Sequence, residues 1–87
     1  MKQYTYVIMF NVPYDDWEIV LVTTNVSIAI DTIKENNRAN YIEVWRNERL
    51  INSFDFYKDE GINNKYFESD MEHFTSWMRR VGEEYYI

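Results

Sequence analysis

The sequence predicts an α+β fold, a two-layer ββαββα arrangement in which a four-stranded, mainly antiparallel sheet carries two helices packed on one face. Three observations lead there. Four short runs rich in β-branched and aromatic residues lie at 3–10, 17–24, 41–46 and 49–56. Two apolar stripes at helical spacing follow the second and fourth runs, Val26, Ala29, Ile30 and Ile33, then Met71, Phe74, Met78 and Val81. The chain has 87 residues, 46% hydrophobic and 18% aromatic, enough for one modest core and too apolar for disorder, so 1–87 reads as a single small α+β domain.

Each element has a local reason. From Gln3 to Phe10, Tyr4, Tyr6, Ile8 and Phe10 alternate with Thr5, Val7 and Met9, which makes both faces apolar and the strand central or well covered. Asn11 to Asp16 has turn chemistry, with Pro13 fixing φ and removing a donor. In the second strand, Trp17 to Thr24, strict alternation puts Trp17, Ile19 and Leu21 on one face and Val20 and Val22 on the other. Asn25 stands as N-cap of the first helix, which Lys34, Glu35, Asn36, Asn37 and Arg38 bring to an end. The third strand, Tyr41 to Arg46, sets Ile42 and Val44 against Tyr41, Glu43 and Trp45. Asn47-Glu48 is a tight turn into the fourth strand, Arg49 to Phe56, where Leu50, Asn52, Phe54 and Phe56 alternate with Ile51, Ser53 and Asp55. Tyr57 to Lys65 reads as a flexible loop. Ser69-Asp70-Met71-Glu72 matches a capping box, so the closing helix is expected to begin there and to end at Gly82, leaving residues 83–87 as a tail.

The sequence is poor in catalytic and metal-binding groups. There is no cysteine, hence no disulfide, thiol nucleophile or thiolate site, and one histidine, His73, which belongs to the polar stripe opposite Met71 and Phe74. A calcium loop counted from Asp55 places Tyr57 at position 3, Glu60 at 6 and Tyr66 at 12, and counted from Asp59 it places Gly61 at 3; both fail. Neither Gly61 nor Gly82 opens a phosphate-cradling run. Phe54 and Phe56 imitate the stacking platform of an RNA-recognition sheet, but their flanks are Asn52, Asp55, Asp59 and Glu60, so both read as core. No metal or cofactor is expected. No apolar run nears the ~20 residues that span a bilayer, and the run Tyr6 to Phe10 is too short for a signal peptide; with the cysteine count, this places the chain in the cytoplasm.

What remains is charge and aromatic supply. The net charge is -6, with five basic and seven acidic groups over 1–54 and four basic and eight acidic over 55–87. The candidate partner-binding acids are Asp55, Asp59, Glu60, Glu68, Asp70 and Glu72, which would project a negative field able to steer a basic partner. The candidate partner-binding aromatics are Tyr41, Trp45, Tyr57 and Tyr66, since Tyr and Trp join a large apolar body to a polar tip. The expected function is a non-enzymatic protein-binding module, an inhibitor or adaptor acting on a basic or nucleic-acid-binding protein by charge mimicry, with no direct nucleic-acid or membrane contact. In size and acidity it resembles small phage and mobile-element proteins that block host nucleic-acid enzymes, an analogy that carries over no residue. The alternative is a structural or regulatory homo-oligomer, such as a homodimer, that assembles through an aromatic sheet face. A third reading is an enzyme working through carboxylates alone, such as Asp15, Asp16 and Glu43.

Overall fold

The structure, a computed structural model, describes residues 3–11, 17–58 and 65–81. The elements run β1 (Thr5–Phe10), β2 (Glu18–Thr23), α1 (Val26–Glu35), β3 (Tyr41–Arg46), β4 (Arg49–Asp55) and α2 (Lys65–Arg80). The strands form one antiparallel sheet in the order β2-β1-β3-β4. The expected α+β class, element order and pairing of the two hairpins therefore hold.

One face of the sheet supplies Tyr4, Tyr6, Ile8, Ile42, Val44, Phe54 and Phe56 to the core. The helices close it from the same side. α1 adds Val26, Ala29, Ile30 and Ile33, and α2 adds Phe74 and Met78, with Phe67, Met71, Trp77 and Val81 packed at the margin. These are the stripes that helical spacing singles out. The centre is aromatic: Phe54 meets Phe74 edge-on at 5.1 Å between ring centroids, and Phe74 meets Phe56 at 6.0 Å. Such tilted pairs let the ring edges face the π clouds and add to the burial energy.

Local chemistry sets the element ends. The Asn25 carboxamide oxygen accepts the Ser27 and Ile28 amides at 2.9 and 3.2 Å, which satisfies two orphan donors at the start of α1. At the other end the Lys58 ammonium donates to the Ile33 carbonyl and, at 3.4 Å, to that of Asn36. Asn47 and Glu48 take φ of 52° and 63°, the left-handed pair that lets two residues reverse a hairpin without splaying its strands. Asn40 ties three segments: its backbone pairs with Met9 and Phe56, and its side chain accepts the Asn11 amide at 2.8 Å. On the edge strand β4, the Asn52 side chain accepts the Ser53 amide at 2.8 Å.

The structure departs from strict alternation in two strands. A bulge lies in β2 opposite Ile8 and Met9, so Ile19 pairs with Met9 and Leu21 with Ile8. Ile19 therefore faces away from the helices and Leu21 toward them, where a sequence reading sets them on one face; the extra residue, Val20, switches the phase. In β4 a second bulge pairs Leu50 with Trp45 and Asn52 with Val44, which removes Leu50 from the face of Phe54 and Phe56. α2 begins at Lys65, a turn before the Ser69 capping box, and Ser69 and Glu72 lie within the helix. Its first turns are held from outside. Phe67 packs on Phe56 at 6.2 Å, the Lys58 ammonium sits 4.8 Å over the Phe67 ring, and the Asp70 carboxylate accepts the Tyr57 amide at 2.9 Å. The turn residues Pro13, Asp15 and Asp16, most of the expected flexible loop with Asp59 and Glu60, and the tail with Gly82 lie outside the described residues.

Candidate functional site

Because both helices cover one side of the sheet, the opposite side is open among the described residues. The register lays out its surface in rows. Val22, Val7, Glu43 and Ser53 form one, Ile19, Met9, Tyr41 and Asp55 the next, and Thr5, Trp45 and Leu50 a third. Trp17 packs on Tyr41 at 4.7 Å and extends the second row. Ile19 is 63% exposed, Val22 53%, Leu50 49% and Trp17 47%, so the patch is apolar and wet. Its charged groups are Glu43 and Asp55; no Lys or Arg stands in these rows. The Glu43 carboxylate accepts the Trp45 indole N–H at 3.0 Å, which orients both side chains across the middle of the sheet.

The residues expected to bind a partner fall in several places. Tyr41, Trp45 and Asp55 lie on the open face. Tyr57 and Tyr66 lean on each other at 5.4 Å, both well exposed, near the start of α2. Asp70 is engaged with the Tyr57 amide. Glu68 and Glu72 border a groove of about 350 Å³ between α1 and α2, floored by Ile30, Phe67 and Met71, whose rim also carries Lys34 and Arg79. The described acids are thus divided between the two sides of the domain, and on the helix side Glu68 and Glu72 share the groove rim with Lys34 and Arg79. Sequence reasoning misses Ile19, Val22 and Leu50 as surface residues, because no residue type announces the bulges that turn Ile19 and Leu50 outward.

Burial pushes the Lys58 ammonium below the usual lysine value of 10.5. Its contacts are the Ile33 and Asn36 carbonyls at the end of α1 and the Phe67 ring, so it acts as a structural cap. His73 is exposed and touches the edge of Phe54 at 6.2 Å. Among the described residues no three His, Asp or Glu side chains converge in a way that could hold a metal ion, and no helix is long and apolar enough to cross a membrane. The chain matches no protein-family model, no curated protein and no solved structure. A functional reading therefore rests on the geometry alone.

Proposed function

We propose that the protein is a non-enzymatic binding module whose open sheet face docks a partner protein with a basic, partly apolar surface. The observation that carries this reading is the exposure of Trp17, Ile19, Val22 and Leu50 around two carboxylates on the side of the sheet away from both helices. Apolar side chains in water favour burial against another surface, at about 25 cal/mol per Å² removed. The carboxylates select what covers them. Burying Glu43 without a cation costs several kcal/mol in the handling of an unpaired charge, roughly what one or two apolar contacts return, so a partner offering Lys or Arg opposite Glu43 and Asp55 is favoured. A second copy of the same face offers none and adds two more carboxylates to the buried layer. Such a partner has the surface chemistry of a nucleic-acid-binding protein, which accords with an inhibitor or adaptor role.

The test is affinity capture by the full chain, with identification of what is held, repeated with I19S/V22S and E43Q. The reading expects a basic protein, released by salt, retained less by E43Q and lost with I19S/V22S. Capture indifferent to both variants overturns it. A dimer in light scattering that I19S/V22S dissociates overturns it in favour of self-association.

A further inference from the structure

The middle of the open face has an order of its own. β3 presents Tyr41, Glu43 and Trp45 in succession on that side, because Ile42 and Val44 between them are fully buried on the other. Neighbours on one face of a strand stand about 7 Å apart, so a carboxylate sits between two ring-bearing side chains. Both rings are held in place. The Trp45 indole N–H donates to a Glu43 oxygen at 3.0 Å, and Trp17 packs on the Tyr41 ring at 4.7 Å with the planes tilted by 59°. An ionised carboxylate offers about four lone-pair sites, so Glu43 keeps acceptor capacity beyond the indole. Across the strand pair, Ser53 lies directly opposite Glu43 and Asp55 diagonally, and both are exposed. The described ion pair joins Arg38 to Glu18 and leaves Glu43 and Asp55 uncompensated.

A lysine and an arginine would both answer that charge. The rings separate them. An ammonium is a compact, strongly hydrated point charge, whereas a guanidinium is flat, sheds water more readily and stacks on an aromatic face while its N–H fork reaches carboxylates in its own plane. The sheet also supplies a bed for the rest of the side chain. Val22 and Val7 stand in the same cross-strand row as Glu43 and lead up to it, and strands about 4.8 Å apart give apolar surface of the length that the methylene stem of an arginine covers. Because carboxylate and rings are ordered before anything binds, little freedom is lost on filling the seat. We infer that the open face holds an arginine side chain of the partner protein, its guanidinium seated over Glu43 between the Tyr41 and Trp45 rings and its fork shared by Glu43 and Asp55. This rests on the open face being the docking surface, and it names the side chain that surface selects.

The experiment follows the Trp45 indole N–H and the Val7 and Val22 methyl resonances of the full chain by NMR at constant ionic strength, with acetyl-arginine amide, acetyl-lysine amide and free arginine as probes. Saturable shifts with acetyl-arginine amide are expected in the millimolar range, about threefold or more tighter than with acetyl-lysine amide. E43Q weakens binding about two- to fivefold; its amide oxygen still accepts the indole N–H, so the charge is lost and the ring stays placed. W45L, read from the valine methyls, weakens the arginine probe by a similar factor and brings the two blocked probes closer together. E35Q, at the end of α1, leaves both unchanged. Equal response to arginine and lysine overturns the inference and leaves a basic partner in place, since the docking surface itself fails only if capture ignores I19S/V22S. No saturable shift at these resonances also overturns it, as does tighter binding of free arginine, which would make the seat an amino-acid site. Shifts that grow with protein concentration in the absence of probe overturn it in favour of a second copy.

Discussion

The bulge in β2 sets Ile19 and Leu21 on opposite sides of the sheet, and replacing each by alanine tests that placement directly. Full burial of a branched aliphatic side chain contributes about 1.5–3 kcal/mol. Ile19 is 63% exposed, so about a third of that, roughly 0.5–1 kcal/mol, supports folding. Leu21 packs against the core and is only partly exposed. Core Leu→Ala changes cost about 2–5 kcal/mol, and partial exposure brings this to about 1.5–3 kcal/mol. The two variants should therefore differ by about 1–2 kcal/mol, or roughly 4–16 °C in midpoint for a domain of this size. Urea unfolding followed by circular dichroism measures the gap, provided the slopes agree. Equal costs, or a larger one for Ile19→Ala, would mean that the strand alternates without interruption and that the open face is drawn wrongly.

Phe74→Ala, at the fully buried junction with Phe54 and Phe56, should cost about 3–5 kcal/mol in the same assay, with Phe74→Leu markedly milder. Glu48→Gly should stabilise the hairpin by about 0.5–1 kcal/mol, because glycine occupies φ of 63° without the Cβ clash, and thermal unfolding would show it as a higher midpoint. Asn25→Ala removes the acceptor for two α1 amides and should cost about 1 kcal/mol, while Asn25→Asp should be nearly neutral in chemical denaturation. The Lys58 ammonium is more easily deprotonated in the folded chain than in the unfolded one, so the unfolded state binds more protons in the pH range just below 10.5. Relative to Lys58→Met, the parent should gain stability as pH rises through that range, and a difference flat with pH would contradict the burial of its charge.

Much of the fold is legible in local pattern. The stripe Val26, Ala29, Ile30 and Ile33, the cap at Asn25 and the two-residue turn at Asn47-Glu48 are each decided by neighbours in sequence, and the structure agrees with all three. The start of α2 is not decided that way. Ser69 and Glu72 have the chemistry of a cap, but Phe67 on Phe56 and Asp70 on the Tyr57 amide favour helix one turn earlier, and those partners lie across the chain. The candidate surfaces divide likewise. Tyr41 and Trp45 reach the open face by simple alternation, whereas Ile19 and Leu50 reach it through bulges.

The Asn52 carboxamide on the Ser53 amide bears on how the molecule behaves in a crowd. An edge strand offers its unused amides as a template on which other chains can add, layer on layer, into fibrils. Occupying one such amide from its own neighbour leaves β4 an interrupted template. β2, with Ile19 and Val22 turned to water, is then the side from which strand-on-strand growth would start, and where a cap or a solubilising charge would do most to prevent it.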